Sequence, residues 1–186
     1  MKKIVICLLL TLTFNAVAQQ NSEKNYYIIK NDTVFCTNLT YETTAQGVLK
    51  SLKYTDESGK QVETKQGVSD VTTIYHFGQM MDKIPFKAEK PDGIQRFTER
   101  IVDGTLKVYL ASQYVSNSGG STGTYRFFIK FPDGTFCKIN NKKNLNSIIK
   151  PYLLKCEAFK NAYSGTFSTR EEPFQEMIRL YNSLCK

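Results

Sequence analysis

The hydrophobic pattern of this chain changes period once, near residue 141, and the change limits the architectures open to it. Before that point, short runs of branched and aromatic residues alternate with polar ones between turn-forming clusters, the pattern of antiparallel strands. After it, apolar residues recur every three or four positions, the pattern of amphipathic helices. The expected fold class is therefore α+β: a predominantly antiparallel β-sheet, or a partly open barrel, followed by short packed C-terminal helices.

The strand-like runs can be placed individually. Residues 26–30 and 34–36 flank Asn31-Asp32-Thr33, and 48–54 and 61–64 flank Asp56-Glu57-Ser58-Gly59. Residues 71–77 add a strand, and a more irregular interval follows. Runs 94–102 and 105–111 then flank Asp103-Gly104, a strong turn signal because glycine accommodates positive φ and aspartate tolerates left-handed geometry. Runs 125–131 and 135–139 repeat the arrangement around Pro132-Asp133-Gly134. Within 105–111, Leu106, Val108 and Leu110 alternate with Lys107 and Tyr109, as expected of a sheet with one buried face. Asp32-Thr33-Val34-Phe35-Cys36 is echoed by Asp133-Gly134-Thr135-Phe136-Cys137, consistent with two similar hairpins.

In the C-terminal part, Asn144 is placed to cap a helix beginning near Leu145. Ile148, Ile149, Tyr152, Leu153, Cys156 and Phe159 mark its apolar stripe. Pro151 removes a backbone donor and predicts two short helices or one kinked helix. Ser168 and Glu171 have the spacing of a capping box ahead of a last helix bearing Phe174, Met177, Ile178, Tyr181 and Cys185.

The N-terminus adds an address. Lys2 and Lys3 precede an apolar run from Ile4 to Phe14, and Ala16-Val17-Ala18 supplies a small-residue cleavage site before Gln19. A run of about eleven residues is too short for a spanning helix, which needs roughly twenty. The chain thus divides into a cleavable secretory leader (1–18), a flexible lead (19–25), a β-rich domain (26–140) and a helical region (141–186) packed on it. The expected location is periplasmic or secreted, with no transmembrane segment in the mature protein.

Export changes the meaning of the cysteines. Cys7 lies in the leader, leaving Cys36, Cys137, Cys156 and Cys185, an even number in an oxidising compartment. Cys156 and Cys185 lie on the apolar faces of two helical segments, which gives the expected pairings Cys156–Cys185 and Cys36–Cys137. No C-x-x-C occurs, and the lone His76 completes no familiar zinc site.

Candidate chemistry is sparse. His76 has the right acidity for a base but has no accompanying nucleophile motif. Glu99 is expected to pair across strands with Lys107, and Glu171 and Glu172 to favour a helix start. No phosphate loop, dinucleotide fingerprint, EF-hand or zinc-peptidase motif is present, so no cofactor is expected and no catalytic residue is assigned. The formal net charge of +8 is spread along the chain rather than gathered into a groove, so no nucleic-acid partner is expected. Eleven tyrosines and twelve phenylalanines can fill a core or line a cavity. If the β region encloses one, Tyr109 or Tyr125 would give a ligand its polar contact.

Three stretches carry a family resemblance: Tyr27-Ile28-Ile29-Lys30-Asn31-Asp32-Thr33-Val34, Ile101-Val102-Asp103-Gly104-Thr105-Leu106-Lys107-Val108-Tyr109, and 151–156 followed by Tyr181-Asn182-Ser183-Leu184-Cys185. In these the chain resembles a group of exported proteins of Bacteroidota. The resemblance implies a β-rich envelope protein with a helical C-terminal part, and supplies no catalytic residues or substrate. The expected function is an exported interaction or binding protein whose partner is an envelope protein or polymer. The alternatives are a barrel-like carrier of a small apolar ligand and an extracytoplasmic hydrolase.

Overall fold

The structure, a computed structural model, describes residues 24–44, 47–85, 95–117, 120–139 and 142–185, and of 112–117 and 120–125 the backbone alone. The expected leader, most of the flexible lead and the Tyr125 side chain lie outside the described residues. Among the described residues, ten antiparallel strands form one open sheet: β1 (Asn25–Ile29), β2 (Asp32–Thr43), β3 (Leu49–Thr55), β4 (Gln61–Thr64), β5 (Val71–His76), β6 (Gln79–Pro85), β7 (Gln95–Val102), β8 (Lys107–Asn117), β9 (Gly120–Lys130) and β10 (Phe136–Ile139). Their order is β10-β9-β8-β7-β6-β5-β1-β2-β3-β4, with β10 and β4 at the edges. The α+β expectation is met by this open sheet and a short helical C-terminal part. Asn25 belongs to β1 and is buried, so ordered structure reaches into the expected lead.

One side of the sheet carries two cores end to end. Cross-strand neighbours Ile139, Phe127, Leu110, Glu99, Met81, Ile74 and Tyr27 follow one another along this side. At the β7–β10 end it is covered by helices, and Val102, Leu106, Val108, Phe127, Ile129 and Ile139 pack against Leu145, Ile149, Leu153, Phe159, Phe174, Met177 and Ile178. At the other end the β2–β3 hairpin folds back over its neighbours, burying Tyr27, Cys36, Leu39, Leu49, Leu52, Val71, Ile74 and Phe97. The bend comes from an irregularity between Thr37 and Thr40 where Asn38 takes φ 50°, which turns Leu39 inward.

The helical part is α1 (Lys142–Asn144), a π-helical turn (Leu145–Ile149), α2 (Lys150–Leu153), α3 (Glu157–Ala162) and α4 (Glu171–Leu184). The first three run on through Pro151, because the preceding turn widens so that the Lys150 N–H bonds to the Leu145 carbonyl. The chain breaks after Leu153 instead. Two expected caps are not formed. The Asn144 side chain donates to the Lys138 carbonyl at 2.7 Å, tying the helix start to β10. Ser168 Oγ accepts from the Arg170 N–H at 3.1 Å, and α4 begins with no side-chain cap. Along α4, Phe174, Met177, Ile178 and Tyr181 form the buried stripe that their spacing predicts.

Cys156 and Cys185 form a disulfide at the start of α3 and the end of α4. The expected Cys36–Cys137 bridge is not formed. Neither thiol is in a disulfide, and both are buried, Cys36 under the β2–β3 hairpin and Cys137 under the helices, in separate cores. Burial pushes the Cys36 thiol up to about 11. The neutral thiol is thus favoured on folding; that stabilisation is complete below the unfolded value of about 8.5 and is lost as pH rises through the folded one.

Two outcomes follow for the cysteines. Denaturation without reductant should release the Cys36 and Cys137 thiols to DTNB, and in native protein at pH 8 both should react slowly. Recovery of a Cys36–Cys137 peptide would overturn this. Reducing Cys156–Cys185, 29 residues apart, should lower stability by about 3.5 kcal/mol on the loop-entropy estimate, measured by urea unfolding.

Candidate functional site

The candidate site lies where β8 leaves β7. Their pairing ends at Glu99 and Leu110, while β8 and β9 continue paired to Asn117 and Gly120. Beyond Glu99, β7 is no longer paired with β8, and the tip of the β2–β3 hairpin comes to this edge: the Phe97 N–H donates to the Gly47 carbonyl at 2.8 Å. The tip is held in shape by the Gly47 N–H bonding to the Thr44 carbonyl at 2.9 Å and by the Val48 N–H bonding to Thr44 Oγ1 at 3.1 Å. Gly47 has φ 79°, and a Cβ there would sit 3.2 Å from Arg96 Cβ. Glycine is thus required for the close approach as well as for the backbone angle.

Between this tip and the sheet lies a groove of about 350 Å³. One wall is Tyr41, Thr43, Thr44 and Gly47; Gln79, Met81, Arg96, Phe97, Thr98 and Glu99 supply the floor, and Leu110 and Ala111 the far side. It occupies the seam between the two cores. Glu99 faces Leu110 and Met81 across the strands, and Lys107 pairs instead with Asp103 at 3.7 Å, so the expected Glu99–Lys107 pair is not formed. The carboxylate lies near Tyr41, whose hydroxyl is held above the ordinary phenol range by burial and then by the negative charge of Glu99. The Thr98 hydroxyl is buried without a hydrogen-bond partner. The groove can offer a ligand a carboxylate, a guanidinium, hydroxyls and an amide, with the apolar side chains of Met81, Phe97 and Leu110 among them.

His76 lies at the end of β5, with its ring 5.9 Å edge-on from Tyr41 and 4.3 Å from Phe77. Its ring neighbours are aromatic, and no nucleophile is placed beside it among the described residues. Nor do three or more His, Cys, Asp or Glu side chains converge there into a metal-ligating group.

Tyr109 is not among the residues that line the groove. Its side chain is only 1% exposed, because this strand buries residues on both faces, and its hydroxyl donates to Asp82 Oδ2 at 2.8 Å. Asp82, on β6, is the hub of a buried network. Oδ1 accepts from Thr73 Oγ1 at 2.9 Å, Oδ2 also accepts from Arg100 Nε at 2.7 Å and from Arg100 Nη2, and Arg100 Nη1 reaches Asp103 at 3.1 Å. Burial, then the Asp82 charge, holds the Tyr109 hydroxyl far above its usual range. Burial alone would lower the Arg100 pKa, but the hydrogen bonds and charge of Asp82 outweigh it and raise it. With every carboxylate oxygen occupied by a structural donor, this network is a fastening between β5, β6, β7 and β8.

The sequence reading missed the groove. Its residues come from β2, the hairpin tip, β6, β7 and β8, and of them only Glu99 and Leu110 stood out in the sequence, each for a different role. The signal that was available is Gly47, an isolated glycine between strand-like runs with Thr43 and Thr44 before it.

The described residues contain no helix long and apolar enough to cross a membrane. Comparison of the chain with family models, with curated proteins and with solved structures found no match.

Proposed function

We propose that the protein is an exported binding protein of the cell envelope that holds a segment of an envelope protein or polymer in the groove beside the β2–β3 tip. One observation carries the reading: opposite charges, Arg96 and Glu99, and several uncharged hydrogen-bonding groups line one mostly polar groove together with Met81, Phe97 and Leu110. Groups held on strands keep their geometry when empty, so less ordering opposes binding. The leader-like N-terminus and the Cys156–Cys185 disulfide support an extracytoplasmic location.

The test is positional. A photocrosslinker at Thr43 or at Gln79 should trap the same envelope component in native cells, and one at Glu63 on edge strand β4 should not. Gly47→Val should push the tip off β7 and reduce trapping at least tenfold, while costing about 1–3 kcal/mol for strained backbone and the lost Phe97 hydrogen bond. Equal trapping from Glu63 would overturn the proposal.

A further inference from the structure

One charge interrupts the apolar side of the sheet. In the cross-strand row Ile139, Phe127, Leu110, Glu99, Met81, Ile74 and Tyr27, every residue but Glu99 is hydrophobic. Glu99 stands between Leu110 of β8 and Met81 of β6, at the seam where the helix-covered core gives way to the one under the hairpin. A leucine there would continue the row. A carboxylate between apolar neighbours loses hydration and adds nothing to the fold unless a cation or hydrogen-bond donors meet it.

A second observation is how the neighbouring charges are used. Arg100, next along β7, binds Asp82 and Asp103, and Lys107 pairs with Asp103. Arg96 belongs to the other end of the groove, where its Cβ lies against Gly47, three residues or about 10 Å along the strand from Glu99. Beside Glu99 is the Tyr41 hydroxyl, kept neutral by burial and then by the carboxylate itself. Both groups line the groove, and neither has a hydrogen bond or ion pair to a described residue.

These features select a basic side chain. An ammonium or guanidinium can bind the carboxylate and donate to the Tyr41 hydroxyl at the same time. Met81, Phe97 and Leu110, which also line the groove, suit the aliphatic stem of lysine or arginine, which lies along apolar surface while its head stays with a charge. An amino sugar has no such stem, because hydroxyls surround its ammonium. The Phe97 N–H is already bonded to Gly47, so at that point β7 has no donor to give an added strand, and recognition falls to a side chain. At about 350 Å³ the groove holds a short segment rather than a folded surface.

We propose that Glu99 and Tyr41 bind a lysine or arginine side chain from an extended segment of a partner protein, with Met81, Phe97 and Leu110 against its stem. This rests on the reading of the groove as a binding site and narrows its occupant to a basic protein segment. A carboxylate in this row breaks the pattern that builds the core on either side of it, and such breaks belong to functional positions.

The test uses the chain without residues 1–18 and two synthetic peptides, acetyl-Gly-Thr-Lys-Thr-Gly-amide and the same peptide with norleucine for lysine. In NMR titrations the lysine peptide should shift the Gly47 and Ala111 amide signals saturably, and the norleucine peptide should bind at least tenfold more weakly. Glu99→Gln should weaken binding of the lysine peptide at least tenfold and Tyr41→Phe at least twofold. Glu63→Gln, the same change of charge on edge strand β4, should leave it unchanged. Glu99→Leu should abolish binding yet raise Tm by about 2–4 °C, which separates recognition from folding. No saturable shift, equal binding of the two peptides, wild-type binding in Glu99→Gln or a lower Tm in Glu99→Leu would overturn the proposal, as would binding of glucosamine oligomers alone. Unchanged binding in Tyr41→Phe would overturn the part assigned to Tyr41. In native cells, Glu99→Gln should lower trapping by the Thr43 and Gln79 crosslinkers at least tenfold. Undiminished trapping in that variant would overturn this inference and leave the groove reading standing, whereas no trapping from either position in the otherwise unchanged protein would overturn both.

Discussion

Asp82→Ala should lower stability by about 3–5 kcal/mol, among the largest effects of any single substitution in this chain. The Asp82 side chain is 10% exposed, and its carboxylate binds Thr73, Arg100 and Tyr109 together. Removing it leaves a guanidinium, only 11% exposed, with its remaining acidic neighbour at the surface, and leaves the Tyr109 hydroxyl buried without an acceptor. The cost is dominated by these stranded donors rather than by the lost attraction. The double variant Asp82→Leu with Arg100→Met should therefore recover most of the loss, because two apolar residues strand nothing but the Tyr109 and Thr73 hydroxyls. Urea unfolding of the two variants tests this, with an expected fall in Tm of roughly 6–20 °C for the single one. A loss below 1 kcal/mol would show that water reaches the site and replaces the carboxylate.

The second large effect is expected at Gly104, in the turn between β7 and β8. Its φ is 134°, and a Cβ there would lie 2.6 Å from Asn182 Nδ2 and 2.7 Å from Asn182 Cγ. Asn182, on α4, is a staple. Its Oδ1 accepts from the Leu106 N–H at 2.8 Å, and its Nδ2 donates to the Leu106 and Asp103 carbonyls at 2.8 and 3.0 Å. Gly104→Ala must displace this side chain and strain the turn, at a cost of about 3 kcal/mol or more. Asn182→Ala should cost about 2–4 kcal/mol, because it orphans backbone groups of fully buried Leu106. Both substitutions break one contact, so the double variant should lose much less than their sum. Additivity within about 0.5 kcal/mol would refute a shared contact.

These two fastenings also mark where the sequence was legible and where it was not. Strands bounded by turn residues could be read directly: 61–64 coincides with β4, and Asp103-Gly104 and Pro132-Asp133-Gly134 do separate β7 from β8 and β9 from β10. Strand β6, Gln79–Pro85, was passed over as irregular. It places a charged residue, Asp82, at a buried position and ends in Pro85, so it lacks the alternation that identifies a half-buried strand. The same network explains Tyr109, read as the polar side of β8, because a hydroxyl with a buried acceptor can face inward. Cys36 and Cys137 illustrate a different limit. Equivalent positions in two hairpins, as their echoing sequences imply, place cysteines at opposite ends of a wide sheet rather than side by side. Cys156 and Cys185 were legible because short-range packing of neighbouring helices brings them together. The groove depends on where β8 parts from β7, and no local pattern encodes that point.

The strand order carries a consequence for how the sheet can be assembled. Every strand pairing joins sequence neighbours except β1 with β5, and that one exception splices two meanders growing in opposite directions. A chain appearing N-terminus first can lay down β1 to β4 as successive hairpins, but the second edge of β1 stays open until Val71–His76 arrives. From then on each new hairpin extends the other edge by one strand, and one face of β7–β10 is covered only when the helices dock on it. Cys185 follows every described strand in the chain, so the disulfide can lock the helices only after the sheet beneath them has been made. The slow, aggregation-prone interval of folding should therefore belong to the exposed edge of β1, and substitutions that weaken β1–β5 pairing should retard refolding more than equally destabilising ones in α4.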